Sequence, residues 1–151
     1  KRKTWKNHSR EKGEEILEEL IQINKSKEDI NQQSPLIWAY VGDCVYELYI
    51  RTRLVDTTNL KPHKLHIESI KYVKASAQAE MLHNIYEELS DEEKEIVRRG
   101  RNTQNHHLPK NSNVQEYMYS TAFEALIGYL YLCGDISRVK EIIEMSLKEK
   151  E

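Results

Sequence analysis

The stretch "AYVGDCVYELYI" at residues 39–50 sets Asp43 and Glu47 four residues apart inside what otherwise reads as a buried helix. Helical geometry puts Leu36, Tyr40, Asp43, Glu47 and Ile50 on one face, so both carboxylates share a stripe with apolar side chains. An ionised carboxylate in such a setting is costly unless it is paired, hydrogen-bonded or bound to a cation. Asp43 therefore calls for a partner.

The surrounding chain supports a helical reading. Its 151 residues suffice for one core, and five Gly and three Pro against 32% charged and 38% hydrophobic residues describe a folded, helix-rich protein. No apolar run approaches the roughly 18 residues that span a bilayer, so no membrane partner is expected. Cys44 and Cys133 are too few for a disulfide framework or a four-ligand zinc site, and both read as reduced core thiols. A formal net charge of −2 argues against binding a polyanion through bulk charge and shifts attention to local basic patches.

Along the chain, "KRKTWKNHSREK" at 1–12 carries six basic residues and one acidic one. It reads as an extension, either an arm that touches a polyanion or a solvated tail. Ile16, Leu17, Leu20, Ile21 and Ile23 mark an amphipathic helix over Glu11–Asn24, followed by the polar stretch "NKSKEDINQQ". Ser34-Pro35 predicts the start of a long helix running to about Leu54. A second long pattern, Leu65, Ile70, Val73, Ala77, Met81, Leu82 and Ile85, predicts a face buried throughout.

Ser90 with Glu93 reads as a capping box, and Gly100 as the left-handed stop of the short helix that it opens. The polar loop "RNTQNHHLPKNS" at 101–112 follows. Asn113 with Glu116 opens a helix closed by Gly134, and Asp135 caps a last helix to about Lys148. No strand pattern is convincing, and the expected fold is an all-α bundle of about six or seven helices.

Glu124 poses the same energetic problem as Asp43, set among Ala122, Phe123, Ala125, Leu126 and Ile127. If the two helices pack together, Asp43 and Glu124 can share a hard divalent cation such as Mg²⁺, which prefers carboxylate oxygens and water. The alternative places Glu47 and Glu124 at helix edges, paired with Arg51, Lys71 or Lys74. Gly42 and Gly128 each cost about 1 kcal/mol relative to Ala in a helix and point to close helix contact.

At these residues the chain resembles the ribonuclease III family, through "YVGDCVYEL" and "TAFEALIGYLYL". It is most similar to the Mini-III branch, which lacks a double-stranded-RNA-binding domain, through "AYVGD", "KASAQAE", "RRGRN", "PKN" and "YSTAFEALIGYLYL" in that order. The resemblance implies a homodimeric, all-helical, Mg²⁺-dependent endonuclease that cuts both strands of an RNA duplex. It also implies a cytoplasmic role in maturing precursor ribosomal RNA. Asp43 matches the catalytic, metal-binding aspartate, and Glu124 the metal-binding glutamate. Leu36 and Ala39 occupy positions that carry glutamates in other members, and Thr121 replaces an aspartate, so the metal site has fewer protein ligands. Glu47 is a secondary catalytic candidate, acting through a water or a basic neighbour, or else a surface ion pair. On this reading residues 1–30 are a basic extension with its amphipathic helix, and 31–151 form the catalytic domain.

Double-stranded RNA hides its base edges in a deep, narrow groove, so recognition should rest on phosphates, 2′-hydroxyls and shape. Arg98, Arg99, Arg101, Asn102, Lys110 and Asn111 suit such contacts, and Lys74 and Gln78, one turn apart, either face the same groove or lie on the solvated side of a core helix. His106 and His107 are read as solvated or phosphate-facing and are given no metal. The apolar "IWAYV" and the tyrosines of "YLYLC" exceed the needs of one small core, consistent with a helix-packed homodimer. The rival to the enzyme is a catalytically inactive RNA-binding module of the same fold.

Overall fold

A proline preceded by a capping serine begins the helix on which the rest is built. In the computed structural model, which describes residues 23–103 and 113–148, α2 (Pro35–Thr57) starts with the Ser34 hydroxyl accepting the Leu36 amide at 3.3 Å. It runs one turn past the expected end. There the hydroxyls of Thr57 and Thr58 donate to the carbonyls of Arg53 and Leu54 at 2.7 Å each, satisfying groups that a helix end leaves open. Ahead of it lies α1 (Lys27–Gln32), a helix inside the stretch that the sequence shows only as polar. A reciprocal box between Ser26 and Asp29 nucleates this short helix, and its one buried residue, Ile30, offers its carbonyl to the Trp38 indole at 2.9 Å.

The second long pattern is two helices, α3 (Pro62–Val73) and α4 (Ala75–Ile85), separated at Lys74 by an extended residue. Only α4 is buried as expected, through Ala77, Met81, Leu82 and Ile85; Ile70 of α3 is exposed. The break is held by side chains of α2 and α4. Tyr46 of α2 donates its hydroxyl to the Tyr72 carbonyl at 3.0 Å, and the Gln78 amide donates to the Val73 carbonyl at 3.0 Å. These side chains replace the amides that a continuous helix would have supplied.

After a 3-10 turn at Tyr86–Glu88, α5 (Asp91–Asn102) opens with the predicted Ser90–Glu93 box. Gly100 does not stop it. The residue is helical, and a Cβ there would stand 2.9 Å from the Ala122 Cα, so it serves close packing instead. The last helices are α6 (Val114–Leu132), capped by Asn113, and α7 (Ile136–Lys148). Asp135 caps α7 by accepting the Arg138 amide at 3.2 Å. Gly134 between them has φ +80°, the left-handed conformation that the sequence predicts.

Helix α6 is the axis of the bundle. It packs against α2, α4 and α5 and is buried almost all round from Ser120 to Leu130. Edge-on ring pairs join it to α2: Trp38 with Tyr129 at 5.0 Å and Tyr46 with Phe123 at 5.1 Å. Arg138 of α7 clasps Glu93 of α5 through two hydrogen bonds of 2.7 and 3.0 Å. Both cysteines are free, but Cys44 is exposed and Cys133 half-buried, so neither is a core thiol. The described residues form helices without a strand, and none of those helices is long and apolar enough to cross a membrane.

Arg99 fastens α1 to this frame. Its guanidinium lies 4.5 Å from the Trp38 ring and donates to the Asn31 side chain at 2.9 Å and the Asn31 carbonyl at 2.8 Å. Cation–π contact and charge-assisted hydrogen bonds together predict that Arg99→Ala lowers unfolding free energy by about 2 kcal/mol in urea titration. A loss below about 0.5 kcal/mol would show the clasp to be idle.

Candidate active site

Two glycines bring the carboxylates together. A Cβ at Gly42 would overlap the Glu124 carbonyl oxygen and stand 2.7 Å from the Gly128 nitrogen. Reciprocally, a Cβ at Gly128 would overlap the Trp38 carbonyl oxygen and stand 2.8 Å from the Gly42 nitrogen. Helices α2 and α6 therefore cross with main chain against main chain, closer than side chains permit. Asp43 follows one of these glycines and Glu124 precedes the other by one turn, so both leave the crossing region.

The stripe is less uniformly buried than its pattern suggests. Asp43 is exposed, Glu124 is half-buried, and Tyr40 is 80% exposed whereas Ile50 is buried. The energetic burden thus falls on Glu124. Burial, and then the neighbouring Asp43 charge, push its carboxyl up to about 7, while a Gln78 side-chain hydrogen bond acts to lower it. Asp43 is also raised, first by burial and then by Glu47. Each acid of the pair thus resists ionisation unless a positive group arrives between them.

Glu47 accepts from Arg51 one turn on, at 2.8 Å, so it forms the helix-edge ion pair that was one of its two readings. Thr121, one turn before Glu124, is buried and its hydroxyl donates to the Tyr117 carbonyl at 3.0 Å. Among the described residues no three His, Cys, Asp or Glu side chains converge. The oxygens at hand are the carboxylates of Asp43 and Glu124 together with one orphan: Gln78 Oε1, buried and without a hydrogen-bond partner. An all-oxygen set with few protein donors suits a hard divalent cation that retains several waters.

The residues expected on RNA separate into three groups. Arg98, Arg101 and Asn102 are exposed at the C-terminal end of α5, and Lys74 is exposed at the corner between α3 and α4. Arg98 pairs with Glu95 at 2.6 Å, and Arg101 lies 5.8 Å from the Tyr119 ring, a neighbour that the sequence reading had not singled out. Arg99 and Gln78 are elsewhere. Arg99 is engaged with Trp38 and Asn31, and Gln78 is 1% exposed and packed beside Glu124, with no surface from which to meet a duplex. Lys110, Asn111, His106 and His107 lie outside the described residues, as do the basic segment 1–12 and most of the expected Glu11–Asn24 helix.

Known proteins share the family and the fold. Residues 36–135, which span the crossing and both carboxylates, match the Ribonuclease III domain. A Mini-ribonuclease 3 of Thermoanaerobacter sp. (strain X514) is 53% identical over 123 residues, 82% of this chain and 87% of that protein. The Mini-ribonuclease 3 of Streptococcus pneumoniae (strain ATCC BAA-255 / R6) is 40% identical over 125 residues, covering 82% of this chain and 98% of that one. A crystal structure of a Fusobacterium nucleatum protein superposes with a TM-score of 0.72 at 31% identity, over 82% of this chain and 98% of that chain. The chain belongs to the ribonuclease III family, in its Mini-ribonuclease 3 branch, and is an endoribonuclease.

Proposed function

We propose that this endoribonuclease cleaves double-stranded RNA with Mg²⁺ held between Asp43 and Glu124, working as a cytoplasmic homodimer in the maturation of precursor ribosomal RNA. The observation that carries the reading is the glycine crossing, which sets an exposed and a half-buried carboxylate on facing helices, neither with a basic partner among the described residues. The Mini-ribonuclease 3 relatives support an RNA substrate, and the ribosomal source follows from the family resemblance alone.

When bound, Mg²⁺ supplies Lewis acidity, lowering the pKa of a coordinated water and neutralising charge on the scissile phosphate. The protein's part is placement. Asp43, exposed, and Glu124, half-buried, are the carboxylates that would hold the cation. Glu124 must give up its proton to do so, which favours cation binding as pH rises toward 7. Glu47 stays with Arg51 and tunes Asp43 by its charge. Arg98, Arg101, Asn102 and Lys74 present donors to phosphates and 2′-hydroxyls.

The dimer reading rests on α2. Ile37 (45% exposed), Tyr40 and Leu48 (65% exposed) recur with Cys44 at helical spacing, leaving an apolar face open beside Asp43. A two-fold pairing over this face would present two sites to one duplex.

Incubating a long RNA duplex with wild type and with Asp43→Asn, in Mg²⁺ or in EDTA, tests the proposal. Wild type in Mg²⁺ is expected to cut the duplex and spare its separated strands, leaving 5′-phosphate ends. The variant and the EDTA sample are expected to cut at least about 10³-fold more slowly. Equal cutting by the variant, or full activity in EDTA, would overturn the mechanism.

A further inference from the structure

Gln78 has a hydrogen-bonding pattern that packing alone does not explain. Its side chain is 1% exposed, and Nε2 donates to the Val73 carbonyl at 3.0 Å. The same carboxamide lies near enough to the Glu124 carboxyl to pull its pKa down. Both donors of the NH₂ group thus have neighbours, while Oε1 has none. Among the described residues it is the one buried side-chain oxygen or nitrogen left unpaired.

A half-turn of the amide would not relieve this, because it would set Oε1 against the Val73 carbonyl, acceptor facing acceptor. Leaving a buried acceptor unmet costs about 1–3 kcal/mol, so such an atom in a folded protein calls for an occupant. The position adjoins the Glu124 carboxyl, on which the Asp43 charge also acts. A small divalent cation held by two carboxylates keeps several waters, each a strong donor in need of an acceptor.

We propose that Gln78 is a positioning residue of the cation site: its amide hydrogens hold the Val73 carbonyl and the Glu124 carboxylate, and its Oε1 accepts from a water of the cation's hydration shell. This rests on Asp43 and Glu124 binding the cation, as proposed above. It also gives the corner at Lys74 a purpose, since the break in the helix frees the Val73 carbonyl that orients the glutamine.

The experiment measures Mn²⁺ binding to the RNA-free protein by calorimetric titration. Gln78→Met keeps the volume and removes the polar atoms, and it is expected to weaken Mn²⁺ about tenfold or more, the usual range for loss of a group that supports a metal's ligands. Gln78→Glu keeps an acceptor oxygen and loses the amide donors that hold Val73 and Glu124, but adds a negative charge beside the cation, and is expected to bind Mn²⁺ more tightly than Gln78→Met. Circular dichroism confirms that each variant is folded. If Gln78→Met is not, Gln78→Asn, which withdraws the amide by one methylene, takes its place with the same expected loss. Wild-type affinity in Gln78→Met, or equal losses in the Met and Glu variants, would overturn the role of Oε1. Glu124→Gln separates the two readings. Should it bind Mn²⁺ as wild type does, the carboxylate site itself fails; should it lose binding while Gln78→Met retains it, only the glutamine proposal fails.

Discussion

Alanine at Gly42 is expected to lower the free energy of unfolding by at least about 4 kcal/mol, a large share of the 5–15 kcal/mol that holds a domain of this size together. The added methyl has no cavity to enter and no flexible side chain to displace. It meets the Glu124 carbonyl and the Gly128 nitrogen, both main-chain atoms of a helix that is buried on almost every side. Relief requires α2 and α6 to part, which would also pull apart the Trp38–Tyr129 and Tyr46–Phe123 ring pairs. Gly100→Ala provides the scale. Its methyl meets the Ala122 Cα at 2.9 Å and the Ala125 Cβ at 3.0 Å, so a smaller shift suffices and the loss should fall in the 1–3 kcal/mol range of ordinary overpacking. Urea titration of both variants checks the order. Equal or inverted losses would show that the crossing yields more easily than its geometry implies.

Glu124→Gln should move activity and stability in opposite directions. Cleavage of duplex RNA is expected to fall by about 10³-fold or more, since on the proposed mechanism the variant loses a charge that holds the cation. Without divalent cation, the same variant should be more stable than wild type at pH 8, by on the order of 2 kcal/mol. The sign follows from the raised carboxyl, near 7 in the fold against 4.5 ordinarily. The folded state holds the proton more tightly than the unfolded chain, so wild-type stability declines as pH rises from about 4.5 to about 7. Glutamine has no proton to lose. Asp43 is raised as well, and Glu92, Glu93 and Glu95 are lowered, so the readout is the difference between the two proteins across pH in EDTA. Parallel pH profiles would contradict the assignment.

The parts of this fold that could be read from the chain are those with a local physical signature. Ser34-Pro35, Ser90 with Glu93, Gly134 and Asp135 act on their own neighbours, and each lies where the capping pattern placed it. The family was likewise readable from the motifs around Asp43 and Glu124. What escaped depends on residues distant in sequence. The break at Lys74 needs Tyr46, which bonds to a carbonyl 26 positions away, and periodicity runs straight through it. Helix α1 has one buried residue and so no period to detect. Gly100 near a helix end looks the same in sequence whether it turns the chain or lets another helix approach, and only Ala122 on α6 decides between them. Loop composition points Arg99 to RNA and the family resemblance points Gln78 there, whereas Trp38 and Glu124, which they meet in the fold, lie on other helices.

The separation of the two carboxylates is governed at the crossing by atoms that are missing, one methyl from each glycine. Side-chain volume therefore has little hold on it. Trp38, Phe123 and Leu126 pack around the contact and contribute stability, yet changes among them leave main chain resting on main chain. Resistance to heat and spacing of the two carboxylates are thus separable properties of this bundle: repacking the core can retune the first while the second stays constant.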